Sequence, residues 1–176
     1  MTAPERAPSR LSGLGFTVDL PPRWEGRVYQ RPEPSASYAS PAARQAGAGS
    51  LGWQGERPHP VLHLGNFALP AGRGDYGTGA VERMGPSHVF IALLQFGQQE
   101  RGSALFAPQG MPTPTPADFD PAALQRIVVG QAGYQRFFTL SGHPVCLYVV
   151  IGSRERVSPL CREVVATLSR IEVAPA

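Results

Sequence analysis

The chain has 176 residues with 42% hydrophobic content, 20 glycines and 19 prolines, which predicts one domain with a sizeable core and a surplus of loop. All sixteen basic residues are arginine, which excludes Schiff-base lysine chemistry and a lysine-dependent phosphate loop. The net charge of +3 comes from scattered arginines rather than a basic run interleaved with aromatics, which argues against nucleic-acid binding, and no apolar run reaches the roughly 18 residues of a membrane span.

Residues 1–13, "MTAPERAPSRLSG", are polar and proline-rich and read as a flexible tail. They hold no apolar signal-peptide core, so the expected location is cytoplasmic unless a leader has been removed. Residues 14–176 read as a single domain. In "GFTVDLP", Phe16, Val18 and Leu20 share one face and Thr17 and Asp19 the other, the pattern of a half-buried strand. "WEGRVYQRPE" reads as a second strand, and the "PPR" between them predicts a hairpin. Pro34 to Pro60 is small, polar and rich in breakers; it reads either as a flexible insertion, the favoured reading, at about 34–59, or as a functional flap carrying Trp53.

"VLHLGNFAL" is the third predicted strand, and the stretch after it, "LPAGRGDYGTGAVERMG" (Leu69 to Gly85), holds two motifs. Gly72, Gly74 and Gly77 spell the G-x-G-x-x-G dinucleotide fingerprint, but "TGAVERMGP" allows only about two helical turns before Gly85-Pro86. The acidic residue expected about twenty positions on is missing, since that window is "HVFIALLQF". Arg73-Gly74-Asp75 spells an adhesion tripeptide, without the visible leader an extracellular protein needs. Both readings are set aside in favour of a glycine-rich turn that displays Arg73, Asp75 and Tyr76.

"HVFIALLQF" (His88 to Phe96) suits a strand covered on both faces, and "SALFAP" a short edge strand. Asp120-Pro121 predicts a helix with Asp as N-cap, Pro at its first position and Leu124, Ile127 and Val128 as its apolar face. "GYQRFFTLSG" and "PVCLYVVIG" follow as two strands joined at "SGHP", the second apolar on both faces and so central. A helix from near Pro159, capped by Ser158, places Leu160, Cys161, Val164, Val165, Leu168 and Ile171 at helical spacing, and "RIEVA" closes as a strand. The fold class is α+β: a central, mostly antiparallel sheet of about six or seven strands covered by helices.

"GFTVDLPPRW" (Gly15 to Trp24) resembles the opening strand of Mog/PsbP-like domains, where an aromatic-rich strand runs into a Pro and a Trp. Val164, Val165 and Leu168 followed by Ile171 and Val173 resemble their closing helix and strand. The resemblance extends to the strand order of the second half and not to residues 34–60. It implies an antiparallel sheet between helical layers and an accessory or binding role. Photosystem assembly is that role in one branch and a Ran GTPase partner in another, and many bacterial members have none assigned. Only core positions match, so no functional residue carries over.

No catalytic, cofactor or metal site emerges. His59 and His63 sit on a predicted strand, where residues four apart are about 13 Å separated. Cys146 and Cys161 lack zinc spacing and are read as buried free thiols, with a disulfide as the alternative. The nearest match to a nucleophile elbow, "AGSLG" (Ala48 to Gly52), has Ala in place of the first Gly and lies in the insertion. Asp118 and Asp120 flank a helix start, where capping accounts for at least one of them.

What remains is surface: Trp24, Trp53, Tyr76 and Phe106 in or near loops, with Arg73, Arg83 and Arg101 about the glycine-rich turn. The predicted function is a non-enzymatic binding or accessory domain with a protein partner, contacted through Arg73, Asp75, Tyr76, Arg83 and Trp53. Two alternatives stay open: a small-ligand-binding protein or enzyme with a pocket between sheet and helices, and a small accessory component of a bacterial secretion apparatus. The oligomeric state stays open as well.

Overall fold

The computed structural model describes residues 9–31 and 59–176. Its strands are β1 (Ser9–Gly13), β2 (Phe16–Leu20), β3 (Glu25–Gln30), β4 (Pro60–Gly65), β5 (Val89–Gln95), β6 (Ala132–Leu140), β7 (His143–Ile151) and β8 (Ile171–Val173). One α-helix, α1 (Val157–Leu168), stands among the described residues. The fold is sheet-dominated α+β, but the strands form two antiparallel sheets rather than one. β1-β2-β8 make the smaller and β3-β4-β5-β7-β6 the larger.

The expected continuous apolar runs sit where expected. Every residue of β5 is buried, as is all of β7 after its first residue. Alternation sends Leu62, Leu64, Ile91, Leu93, Leu147 and Val149 to an inner face, against Phe16, Val18 and Leu20 of β2 and Leu160, Val164 and Leu168 of α1. Each such side chain contributes about 1.5–3 kcal/mol of transfer free energy. The opposite, outer face carries Val61, Phe90, Ala92, Leu94, Cys146, Tyr148 and Val150. Among the described residues, connections cover it, through Leu69, Ala80, Val81 and Leu124.

Several local expectations are corrected. Ser9–Gly13 of the expected tail is β1, a strand with polar side chains whose Leu11 packs on the core; residues 1–8 lie outside the described part. The β2–β3 hairpin does not form. Pro21 accepts from the Trp24 N–H at 3.1 Å and Arg23 takes a φ of 70°, a turn that sends the chain from one sheet into the other. β2 then pairs with β1 and β8, and β3 with β4. "SALFAP" is a 3-10 turn at Ala104–Phe106, and Phe106 is buried instead of exposed in a loop. Trp24 is buried too, its Nε1 donating to Glu163 of α1 at 3.2 Å.

The helix predicted from Asp120 is a single 3-10 turn at Pro121–Ala123. Asp120 caps it as expected, accepting from the Ala122 N–H at 2.8 Å. However, the Asp120 backbone exchanges bonds with Gly133 of β6, and Leu124 leaves the turn in extended conformation. These ties hold the chain to the sheet edge and stop helix propagation. Helix α1 starts earlier than its pattern suggests: a 3-10 turn at Arg154–Arg156 leads into it, and Arg156, not Ser158, is at the N-cap. Both cysteines are buried and free. The insertion at 34–59, except its last residue, and Trp53 with it, lie outside the described residues.

Where β7 runs out, the chain passes so close to the 85–88 turn that a Cβ on Gly152 would lie 1.9 Å from the Gly85 carbonyl oxygen. That neighbour is backbone and cannot swing aside. Gly152→Ala is therefore expected to destabilise the fold by about 2–3 kcal/mol in urea denaturation. Gly72→Ala, with open space around its Cβ, should stay within about 0.5 kcal/mol of the parent.

Candidate functional site

β4 places His63 on the outer face, between Leu62 and Leu64, which point inward. Its Cα partners across the sheet are Arg27 on β3 and Ala92 on β5, and the small Ala92 leaves room for a ring above it. Phe90 and Tyr29 meet His63 edge-on at 5.0 and 5.2 Å between centroids, and the imidazole is fully buried.

The glycine-rich stretch folds down onto this ring. Gly74 donates to the Thr78 carbonyl at 2.9 Å and Gly77 to Gly74 at 2.8 Å, closing a compact loop. Arg73 Nε donates to His63 Nδ1 at 2.8 Å, and His63 Nε2 lies 2.7 Å from the Asp75 carbonyl oxygen. This fixes the tautomer: Nδ1 accepts and Nε2–H donates. A second proton on the ring would set an N–H against the guanidinium. Burial first, and the Arg73 charge with it, depress the His63 pKa to about 4, against the opposing pull of Asp75.

The other polar groups of the loop are committed as well. Arg73 Nη1 donates to the Pro70 carbonyl at 2.8 Å, and its guanidinium lies 5.9 Å from the centroid of the Tyr29 ring. The Tyr29 hydroxyl donates to Asp75 Oδ1 at 2.8 Å, and burial with that carboxylate holds the phenol well above its ordinary range. Tyr76 packs edge-on against Tyr148 at 5.4 Å beside Cys146. Burial raises the Tyr76 phenol to about 12 and the Cys146 thiol to about 11. The raised Tyr29, Tyr76 and Cys146 groups keep their protons near neutral pH, and both ring nitrogens of His63 are already hydrogen-bonded.

The structure thus brings Arg73, Asp75 and Tyr76 together, but turns them inward and half-buries them instead of displaying them. Arg83 stands exposed on a separate 3-10 turn at Val81–Arg83, and Arg101 lies beside Gly142 at the β6–β7 turn, away from the loop. Sequence reading missed the centre of the cluster. His63 interrupts the apolar run "VLHLG", and a polar residue between inward leucines signals a ligated or hydrogen-bonded side chain; its partners in the loop become visible only in three dimensions. The third glycine of the fingerprint has a packing role: Gly77 has a φ of 82°, and a Cβ there would lie 2.4 Å from Phe90 Cε1. Among the described residues, no group of three or more His, Cys, Asp or Glu side chains is arranged to hold a metal, and no helix is long and apolar enough to cross a membrane.

Because the folded state binds the His63 proton more weakly than the unfolded chain, stability is retained above the ordinary histidine pKa of about 6.5 and lost as pH falls toward 4. The contribution is about 3 kcal/mol across that window. His63→Gln, which keeps one donor and one acceptor, should flatten this part of the stability–pH curve; parallel curves for parent and variant would contradict it. Gly77→Ala should cost about 2–3 kcal/mol in denaturant unfolding, from the clash with Phe90 and the positive φ together.

No family model, no curated protein and no solved structure matches this chain, so its functional reading rests on its own residues.

Proposed function

We propose that this chain is a non-enzymatic binding domain that acts as an accessory through protein–protein contacts. The observation that carries the reading is the apolar run Ile127–Val129: Ile127 is 75% exposed and Val129 98%. A single exposed aliphatic residue is ordinary, but two held out on one loop, on either side of the half-buried Val128, suit an interface. The loop is fixed in place, with Gln131 donating to the Val128 carbonyl at 3.1 Å and Arg154 to the Gly130 carbonyl at 2.8 Å. Its ordering is thus already met before any partner arrives.

Val128 and Val129 also form one wall of an open cleft of about 760 Å³, with Met84 and Pro86 on the apolar side and Arg154 and Glu155 supplying charge. An apolar centre with a charged rim is the usual anatomy of a protein contact. The polar cluster around His63 supports the same reading from the other side, since its groups are spent in fastening a loop.

The test is affinity capture by the full chain in its native cell, compared with Ile127→Asp/Val129→Asp. The double variant is expected to fold with stability within about 1 kcal/mol of the parent, as exposed positions allow. It should lose a specific captured protein by about tenfold or more. The same proteins retained by both chains, or none captured by either, would overturn the reading.

A further inference from the structure

β6 is one edge of the larger sheet, and its outward backbone groups are covered unevenly. Leu140 pairs with His143 across the Ser141–Gly142 turn, so even-numbered residues of β6 bond to β7 and odd-numbered ones point outward. Two outward positions are capped. Gly133 exchanges bonds with Asp120 at 3.0 and 2.9 Å, and Thr139 donates to Pro108 at 2.8 Å while accepting from Gly110 at 2.9 Å. Between the caps, the outward N–H and C=O of Gln135 and Phe137 have no backbone partner among the described residues. The connection between the caps turns aside instead of covering them: the Pro114 carbonyl accepts from Cys161 of α1 at 3.3 Å, and Phe119 packs on Tyr134.

This leaves a short notch at Gln135–Phe137, in an edge otherwise closed. The side chains there define what fits. Residues directly opposite in a paired strand share a face. A residue opposite Arg136 would lie beside an exposed guanidinium that feels the Asp118 carboxylate but makes no direct ion pair among the described residues. Residues opposite Gln135 and Phe137 would lie on the outer face, where Phe137 packs with Phe106 and Phe96 at 5.7 and 6.1 Å. A second copy docked about a two-fold axis would set Arg136 against Arg136, and like charges directly opposite repel.

We propose that the Gln135–Phe137 notch receives an extended strand from a protein partner, with an acidic residue opposite Arg136 and apolar residues on either side of it. The inference rests on the protein-binding reading above and gives it a second surface. Strand addition supplies main-chain hydrogen bonds for affinity, and the alternating side chains supply selectivity. The caps at Gly133 and Thr139 limit the added strand, which keeps the edge from pairing indiscriminately.

The probe is the blocked pentapeptide acetyl-Thr-Val-Glu-Val-Thr-amide, titrated into the full chain and followed by backbone amide NMR. Saturable shifts are expected at the Gln135 and Phe137 amides. Replacing the peptide's Glu by Lys should weaken binding by about tenfold, and N-methylating both Val residues should abolish it. Gln135→Pro removes an outward N–H without touching the β6–β7 ladder, so it should lose binding while β7 amide protection persists. Arg136→Glu should reverse the Glu-over-Lys preference.

Absent shifts at these amides, or equal affinity for the two peptides, would overturn the proposal. So would a parent dimer that Gln135→Pro dissolves, because it would assign the notch to a second copy. Failure of the titration while capture through Ile127 and Val129 persists removes the notch and leaves the binding reading standing.

Discussion

The structure depends on one constraint: the central strands of the larger sheet are apolar on both faces, and only one α-helix is present among the described residues to cover them. α1 and the small sheet take the inner face. The outer face must be kept from water by connections whose own backbone is polar, and such segments stay down only if their polar groups find partners. His63 meets that need by presenting an acceptor and a donor from within the apolar face, one to Arg73 and one to the Asp75 backbone. Tyr29 extends the fastening to the edge strand through the Asp75 carboxylate. The polar groups that look like chemistry are therefore part of the packing.

This explains why two familiar motifs are misleading here. A dinucleotide fingerprint requires glycines that let a phosphate approach a helix N-terminus. In this chain Gly77 lets the loop approach Phe90, and only a 3-10 turn follows. The Arg-Gly-Asp tripeptide is bound inward at both charged residues, Arg73 on His63 and Asp75 on Tyr29.

Much of the fold was legible in the sequence, and the losses have identifiable causes. β5, β7 and α1 announce themselves because burial on two faces or along one stripe leaves a dense apolar pattern. β1 does not, because a strand whose only packed side chain is Leu11 carries no periodic signal. The β2–β3 hairpin fails because adjacency in sequence cannot reveal that the Pro21–Arg23 turn changes sheets. The Asp120 cap was readable from local chemistry, whereas the absence of its helix depends on Gly133, on a strand that the local window does not contain. At the candidate site the loop was visible and its anchor was not. Arg73 and His63 are separated in sequence and meet only because the loop doubles back over the sheet.

The small sheet has a consequence for how the protein is made. β8 completes it by pairing Ile171 with Val18 and Val173 with Phe16, so strands from opposite ends of the described chain must meet. During synthesis β2 can pair with β1 as soon as both emerge, but its other edge stays open until residues 171–173 are released. The larger sheet has all its strands by Ile151 and can assemble earlier, before α1 and β8 arrive to close its inner face. Vectorial synthesis therefore holds a partly covered apolar sheet in waiting until this long-range closure is made.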